Sequence, residues 1–440
     1  MGVMNAMLTA VTGLSAQSYA LENISGNIVN SQTVGFKRVD TSFVDMIPEA
    51  AARRENAGSV SAFSKLTNTI QGTSQTTGIT TNMAMNGNGW FTVQKNTGSV
   101  AAPTFSGQDV YTRRGDFAPD ASGYLVNGAG NYLIGSMPGR GQGPIKIDTS
   151  PIPAKITTSV DYQANLPFVP KTAAYKATTP NSELLSPTLA GSTTITAGDK
   201  AAFEDQTIPG GEVTIYDAAG NASVLQTRWG KTASSTAGGT DTWQLYYLNN
   251  ANATGTSAAY TQIGGPVTFS SSGVMNAATS PTVSPVINGK TLGPLTVNFG
   301  TGKLTQYGDQ NGQISNGDID QNGYSTGSLT GVTVTSDGQL SGSYSNGMVQ
   351  TIATVQVAHF KADDQLKRLD GGTYAQTLNS GTPSYGMQGS SISAGAVEMS
   401  NTDIAEEFSK MIVTQQAYSA NTKVITTAQQ MLEDVINVIR

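Results

Sequence analysis

The C-terminal end of the chain carries apolar residues at alternating steps of four and three residues. This heptad pattern is typical of a coiled-coil-like helix and predicts one over 401–440, roughly 55 Å long. Gln415, Thr422 and Gln429 occupy the remaining positions of the repeat, so polar residues interrupt the stripe. The candidate N-caps are Ser400, Asn401 and Thr402. The apolar positions are Ile404, Phe408, Met411, Tyr418, Ile425, Leu432, Ile436 and Ile439.

A weaker repeat of the same spacing opens the chain and predicts a second helix. Ser18 and Ser25 interrupt its stripe, and Gly13 and Gly26 each weaken the helix by about 1 kcal/mol relative to alanine. We expect the two helices to pair with each other and with neighbouring subunits; a helical hairpin packed on a β domain within one subunit is the alternative. The apolar positions are Met4, Met7, Val11, Leu14, Leu21 and Ile28, and both apolar sets together are named the assembly seam.

Between the helices, short runs of alternating polarity separated by turn residues predict β-strands. A hairpin is expected where 213–216 and 224–229 flank a turn at 217–220. Stretches rich in Ser, Thr and Gly at 171–200 and 231–241 are interpreted as long surface loops. Further strands are expected at 90–93, 243–248, 295–299, 332–335 and 351–360. The predicted fold class is therefore mainly β with long α-helical termini.

Composition narrows the possible functions. The 440 residues suffice for more than one domain, and only 12% of them are charged. The net charge of −6 and the lack of a long basic run leave no surface that would neutralise nucleic-acid phosphates, so nucleic acid is excluded as a partner. Cysteine is absent, which excludes disulfides and thiolate chemistry.

The first thirty residues do not have the continuous apolar stretch of a cleavable signal peptide. No other span is apolar enough to cross a bilayer. We therefore expect export, if it occurs, to use a route without signal cleavage. The polar residues that interrupt the N-terminal stretch are Thr9, Thr12, Ser15, Gln17, Ser18 and Glu22.

The best metal candidate is the segment 318–323, which matches the first half of a calcium-binding loop with Gly323 at its sixth place. Leu329 stands at the twelfth place, where such a loop needs a bidentate Glu. A solvated turn is the better interpretation of this segment. The sequence therefore predicts no metal site.

Catalytic constellations are incomplete. His359 is the only histidine, and a solitary histidine in a strand is more often structural than part of a relay. Adjacent carboxylates on one element cannot flank a glycosidic bond, and this applies to the pairs Asp363 with Asp364 and Glu406 with Glu407. We expect no catalytic residue, no cofactor and no enzymatic activity.

Four ordered motifs lie near the two ends of the chain. The first follows the N-terminal helix; its residues are Asn27, Asn30, Thr33, Gly35, Phe36 and Lys37. The others lie at 82–91, at 111–117 with 123–127, and at 398–408 continuing into 415–421. Together the four motifs resemble the signatures of the bacterial flagellar rod and hook protein family. Gln416 departs from the family pattern, which often has Arg there.

Within this family the resemblance is to the hook members, because roughly 170 residues between Asp148 and Tyr324 leave room for an extra domain. The resemblance implies four parts. They are terminal helices forming an inner tube at 1–30 and 401–440, a connecting segment at 31–71 and 390–400, an inner β domain at 72–149 and 321–389, and an inserted outer β domain at 150–320.

The function implied by this resemblance is that of a structural subunit that self-assembles into a flexible tubular joint and transmits torque from rod to filament. The implied partners are other copies of the chain, rod, hook-cap and hook–filament junction proteins, and the flagellar export apparatus. The implied location is the extracellular hook, reached without a cleaved signal peptide. A distal rod or junction subunit is one alternative. A secreted β-rich adhesin or glycan-binding module is another, which leaves the two seam-bearing helices unexplained.

Overall fold

A computed structural model describes residues 2–46, 59–99 and 103–438. The chain divides into two compact units. Unit 1 comprises Met1–Thr149, Leu329–Tyr344 and Val349–Arg440, and unit 2 comprises Ser150–Ser328 and Ser345–Met348. Unit 2 is therefore an insertion into unit 1.

The elements of both units follow in chain order. The first part of unit 1 contains α1 (Gly2–Val29), β1 (Val39–Met46), β2 (Ser59–Leu66), β3 (Ser74–Thr76), β4 (Met83–Asn86), β5 (Trp90–Lys95), β6 (Val110–Thr112), β7 (Phe117–Pro119), β8 (Leu125–Asn127), β9 (Asn131–Met137) and β10 (Gly141–Pro144). Unit 2 contains β11 (Ser159–Asn165), α2 (Pro187–Ala190), β12 (Thr194–Thr196), α3 (Lys200–Asp205), β13 (Ile208–Tyr216), β14 (Ala222–Ala233), β15 (Thr242–Leu248), β16 (Ala258–Thr268), β17 (Thr282–Val283), β18 (Val286–Ile287), β19 (Lys290–Thr291), β20 (Leu295–Asn298), α4 (Gly300–Lys303), β21 (Leu304–Thr305) and β22 (Ser315–Gln321). The second part of unit 1 contains β23 (Leu329–Val334), β24 (Gln339–Tyr344), β25 (Val349–Val355), β26 (Val357–His359), β27 (Lys367–Arg368), β28 (Thr373–Ala375), β29 (Ser384–Tyr385), β30 (Ser391–Ala394), β31 (Ala396–Glu398) and α5 (Ile404–Val438).

The expected fold class is confirmed: the chain is mainly β, with a long helix at each end. The N-cap of α5 is Asp403 rather than one of the three residues before it. Its Oδ1 accepts hydrogen bonds from the backbone N–H groups of Ala405 at 2.8 Å and Glu406 at 3.2 Å. A carboxylate satisfies these donors and also suits the positive end of the helix dipole.

The main sheet of unit 1 combines strands from both halves of the chain. Its strand order is β23-β24-β25-β9-β5-β6-β28-β27, so β9 and β5 from the first half lie between β25 and β6. Two further antiparallel pairs, β30 with β4 and β3 with β31, join the two halves near the helices. Buried apolar side chains such as Phe91, Leu133 and Leu340 form the core of this unit. None of the α5 residues whose side chains the structure describes belongs to that core.

Unit 2 contains a sheet in the order β12-β16-β15-β14-β13 and a second one in which β11 pairs with β20, β21 and β22. The hairpin expected around 217–220 is present as β13 and β14. The core of unit 2 centres on Tyr162, Trp229 and Trp243, each at most 1% exposed. The indole Nε1 of Trp229 donates a hydrogen bond of 2.9 Å to the Tyr162 hydroxyl.

The two stretches interpreted as surface loops lie largely at the surface, and each also contains a few buried residues. Leu185 and Ile195 pack with Phe203 in a separate apolar cluster of unit 2. Lys231 and Asp241 form a buried ion pair, with Nζ 2.7 Å from Oδ1. These few buried residues attach each stretch to the rest of unit 2, although they do not produce a recognisable period in the sequence.

Alkaline pH should weaken unit 2 through Tyr162. Burial raises the pKa of Tyr162 to about 12, whereas tyrosine in an unfolded chain titrates near about 10. Because the folded pKa is the higher one, the contribution to stability is complete below about pH 10 and is lost as the pH rises toward 12, by up to about 1.4 kcal/mol per pH unit.

Urea unfolding followed by tryptophan fluorescence between about pH 9 and pH 12 measures this loss. The free energy of unfolding should fall less steeply with pH in Tyr162→Phe than in the parent. Part of the fall should remain, because burial also raises the pKa of Tyr246 to about 12. An identical decline in the two proteins would contradict the assignment.

Candidate functional site

The two terminal helices lie antiparallel and contact each other in one register. Asn27 Nδ2 donates a hydrogen bond of 2.9 Å to Glu407 Oε2, and Gly13 lies against the side chain of Asn421. Asn27 and Gly13 are fourteen residues apart, as are Asn421 and Glu407, so both contacts belong to the same antiparallel register. This register also places Ala20 level with Thr414, and both line the same cavity of about 530 Å³. We call α1 and α5 in this arrangement the helix pair.

Small residues form the buried face of α1. Ala10, Gly13, Ala16 and Ala20 are all buried, and they are followed by Ile24 one turn later. Small side chains let two helix backbones approach closely. The contact between the helices therefore uses a different stripe of α1 from the one that the heptad pattern of large apolar residues indicated.

The assembly seam remains accessible on the subunit. Its exposed members are Met4, Val11, Ile404, Phe408, Tyr418 and Ile436. Its half-buried members are Met7, Leu14, Leu21, Ile28, Met411, Ile425 and Leu432. Ile439 lies outside the described residues. Phe408 and Ile436 are 50% and 63% exposed, which is unusual for two large apolar side chains on one helix of a soluble domain.

A two-stranded hairpin of β1 and β2 lies alongside α1. Tyr19 Oη and Ser64 Oγ are 2.6 Å apart, and Asn23 Nδ2 donates a hydrogen bond of 2.9 Å to Thr41 Oγ1. These polar contacts orient the hairpin without burying a large apolar surface. They hold it to the helix pair on the side where α1 ends.

The motif that follows α1 consists of residues that end the helix and anchor the chain. Asn27 Nδ2 donates to Val39 O at 3.0 Å, while its Oδ1 accepts from Val39 N at 2.9 Å, so one amide fixes the start of β1. Asn30 Nδ2 donates to Gly26 O at 2.9 Å, and Thr33 Oγ1 donates to Asn30 Oδ1 at 3.1 Å. Of these bonds, the one from Asn30 satisfies a carbonyl group that the end of a helix leaves unpaired.

Gly35 and Phe36 seat the chain on the β structure. Gly35 has φ = 67°, and a Cβ there would lie 2.6 Å from Arg114 N, so both conformation and space require glycine. Phe36 is buried, with the guanidinium carbon of Arg368 4.4 Å from its ring centroid. Lys37 follows directly and enters the interior.

Lys37, Arg113 and Glu398 form a buried charged group that we call the junction cluster. Lys37 Nζ lies 2.5 Å from Glu398 Oε1, and both side chains are only 1% exposed. Arg113 Nη1 lies 3.5 Å from Glu398 Oε2. Lys37 also donates to Ile70 O at 2.7 Å, and Gly72 N donates to Glu398 Oε1 at 2.9 Å. The cluster therefore joins the segment after α1, the segment after β2, the residue that follows β6 of the main sheet, and the end of β31 before α5.

Burial dominates the electrostatics of this cluster. It lowers the pKa of Lys37 and that of Arg113, although the Glu398 carboxylate opposes both shifts. Burial also raises the pKa of Asp363, which accepts a hydrogen bond of 2.9 Å from Trp90 Nε1. Buried charges that are paired cannot separate without a large desolvation cost, so they resist deformation of the contacts around them.

Asn401 adds a second clamp at the same place. Its Oδ1 accepts from Arg38 N at 2.7 Å, and its Nδ2 donates to Thr67 Oγ1 and Ile70 O, each at 3.1 Å. From the sequence, Asn401 was predicted only as a member of a motif and as a candidate N-cap. Its role was missed because the partners lie more than 300 residues away along the chain.

The candidate metal segment does not form a loop. Asp318 and Asp320 lie on β22, and Asn322 Oδ1 accepts from Thr158 N and Ser159 N instead of facing a cation. Across the described ranges, no group of three or more His, Asp or Glu side chains is placed to hold a metal ion. In that same part of the chain no helix is long and apolar enough to cross a membrane.

Four family profiles match successive parts of the chain. Residues 7–37 match "Flagella basal body rod protein", and 84–163 match "Flagellar hook protein FlgE/F/G D1 domain". Residues 181–324 match "Flagellar basal body protein FlaE D2 domain", and 393–438 match "Flagellar basal body rod FlgEFG protein C-terminal". The first and last profiles cover the helix pair and much of the junction cluster.

Full-length relatives extend this likeness along the whole chain. Flagellar hook protein FlgE of Rhizobium meliloti is 30% identical over 100% of both chains. FlgE of Salmonella typhimurium is 28% identical over 97% of this chain and 98% of that protein. The crystal structure of Helicobacter pylori FlgE2 has a TM-score of 0.53 and 16% identity, covering 72% of this chain and 98% of that one; it supports the fold alone.

Removal of one member of the buried pair should destabilise unit 1. Lys37→Met leaves Glu398 buried without its closest cation, and such a break costs about 3 to 5 kcal/mol. Asp116→Asn, which breaks the more exposed pair of Arg114 with Asp116 at 2.8 Å, is the matched control and should cost less than about 1 kcal/mol.

Urea unfolding with hydrogen exchange of the peptides around Gly35 and Gly72 compares these two variants. Equal stability of Lys37→Met and Asp116→Asn would show that the junction cluster contributes no more than a surface pair.

Proposed function

The chain belongs to the flagellar hook protein FlgE family, and from that premise we propose that its helix pair and assembly seam build the inner wall of a tubular polymer. As a member of this family it is a structural subunit of the bacterial flagellar hook and not an enzyme. It is a self-polymerising component that interacts with other flagellar proteins. Rod, junction and adhesin functions are not favoured, since the full-length relatives given above are hook proteins.

Exposure of the assembly seam is the single observation that carries this proposal. Large apolar side chains at heptad spacing on α5 are left uncovered by α1, although α1 is the neighbour that could have covered them. Burial of each such side chain would stabilise an interface by about 1.5 to 3 kcal/mol. Repeated contacts between identical subunits that do not close on themselves produce a helical polymer.

The junction cluster supports torque transmission. A joint that bends must still pass rotation from the helices to the β structure of each subunit without loss. Lys37 and Glu398 are buried and paired, and Asn401 joins three segments of the chain beside them. The connection between the helices and the β structure is therefore rigid. Bending would then occur at contacts between subunits.

We assign the parts of the chain as follows. The helices at 1–30 and 401–440 form the tube, and 31–71 with 390–400 connect them to an inner β domain at 72–149 and 321–389. An outer β domain at 150–320, rich in polar turns, provides contacts that can slide. Rod, hook-cap and hook–filament junction proteins are the partners at the ends of the polymer. The flagellar export apparatus secretes the subunit with its N-terminus uncleaved.

A charged substitution in the assembly seam should give a subunit that folds but does not assemble. Phe408→Asp places a charge on an exposed position of α5, so the monomer should melt like the parent while tubes fail to form. Ser409→Asp, on the adjacent exposed residue, is the control. Electron microscopy of concentrated protein and scanning calorimetry of dilute protein test this. Tubes formed by Phe408→Asp at the parental concentration would contradict the proposal.

A second variant tests the helix itself. Ile425→Pro removes a backbone hydrogen bond in the middle of α5 and costs the helix about 3 kcal/mol or more. The β core of unit 1 contains none of the α5 residues whose side chains the structure describes, so the β units should melt as in the parent, and cells carrying the variant should lack filaments. Normal filaments, or β units that melt much earlier, would mean that α5 has another role.

A further inference from the structure

We propose that Gly13 and Asn421 form a register lock, a pair of positioning residues that fixes the axial alignment of α1 against α5. A Cβ built on Gly13 would lie 2.9 Å from Asn421 Nδ2 and 3.2 Å from its Cγ and Oδ1. In this register the carboxamide of Asn421 therefore occupies the position of a Cβ at residue 13, so any other residue there would require the Asn421 side chain to move. A polar residue at one position of a helical seam is a known way to specify register at some cost in stability.

The environment of Gly13 differs from that of the other glycine in the same helix. Glycine is unfavourable in a helix interior relative to alanine, and Gly13 has no positive φ that would require it. Gly26 is exposed, with nothing within 4 Å of a built Cβ, whereas Gly13 is buried. Close approach by Asn421 explains Gly13, and the same explanation does not apply to Gly26.

A lock is needed because the rest of the contact is nearly repetitive. Ala6, Gly13 and Ala20 recur every seven residues on α1, and Thr414, Asn421 and Ala428 recur every seven on α5. None of the six is a large side chain, so a shift by one heptad would still let the two backbones approach each other. Such a shift would bring Ala6 or Ala20 opposite Asn421, so the carboxamide of Asn421 would have to leave the position that it occupies beside Gly13.

The hydrogen bond between Asn27 and Glu407 fixes the same register at the other end. Glu407 is fully buried and also accepts a hydrogen bond of 2.9 Å from Lys410 Nζ. The two contacts are about 21 Å apart along the helices. Two separated locks exclude the heptad shifts that the small residues would allow.

Register matters for what the subunit presents to its neighbours, and this consequence rests on the proposed function. In the observed register, residue 432 lies level with Gly2, so Val435 and Ile436 extend beyond the described part of α1. Both are exposed. A shift by one heptad would move them by about 10 Å relative to α1 and present a different set of apolar residues.

Engineered disulfides can report the register because the chain has no cysteine. Ala6→Cys with Ala428→Cys reports the observed register, since both residues line the same groove. Ala6→Cys with Val435→Cys reports a shift by one heptad. Each pair is oxidised mildly in dilute full-length monomer, with Gly13, Gly13→Ala or Gly13→Val in the background, and the intramolecular product is measured.

In the parent we expect only the 6–428 product. Gly13→Val should lower its yield by about tenfold and Gly13→Ala should lower it to a smaller extent, although alanine favours the helix. Asn421→Ala should restore the 6–428 product in the Gly13→Ala background. The control Gly26→Ala should leave the yield unchanged. Undiminished 6–428 product in Gly13→Val, or no rescue by Asn421→Ala, would overturn the lock.

The outcome is separable from that of the proposed function. Cross-linking is read in the monomer, so a correct register in a chain that never forms tubes would support the lock and contradict the polymer. Tubes formed by Gly13→Val with 6–435 cross-links would contradict the claim that one register is required for assembly.

Discussion

The ion pair between Lys37 and Glu398 brings together the two ends of the chain, and the rest of the structure depends on it. These residues are 361 positions apart, yet their charged atoms lie 2.5 Å from each other in an interior from which water is excluded. α1 ends at Val29, shortly before Lys37, and α5 begins at Ile404, shortly after Glu398. Because the end of α1 and the start of α5 are held at one place, the helices can run antiparallel as a pair while the β strands between them fold on their own cores.

The helix pair and the β core differ in how much apolar surface they bury within one chain, and this difference accounts for their separate roles in the subunit. The β structure of each unit buries an apolar core within one chain, as the core around Phe91 and the core around Trp229 illustrate. The helix pair uses small side chains for its internal contact and leaves larger ones, such as Phe408, uncovered. A domain that buries its own apolar core is stable without neighbours. A helix pair that leaves large apolar side chains exposed gains stability when neighbouring subunits cover them.

Periodicity determined which features could be predicted from the sequence. The heptads identified both terminal helices, and the turn residues at 217–220 identified a hairpin, because these signals are local. The junction cluster could not be predicted from the positions of its members, since Lys37, Arg113 and Glu398 are far apart along the chain and an ion pair leaves no periodic signal. From the sequence, Gly13 was interpreted only as a residue that weakens α1. The close approach of Asn421 in the structure explains why a glycine is found at this position. The buried residues within the stretch 171–200 could not be predicted, because a few apolar residues among many polar ones leave no periodic signal.

The central claim is that the exposed seam of the helix pair becomes the buried inner contact of a tubular polymer. Helical reconstruction by electron cryo-microscopy of tubes assembled from the full-length chain would test it most directly. We predict that α1 and α5 line the tube in the antiparallel register observed here, with Phe408 and Tyr418 buried against neighbouring subunits. A tube in which these side chains face solvent, with subunits joined only through their β units, would contradict the account.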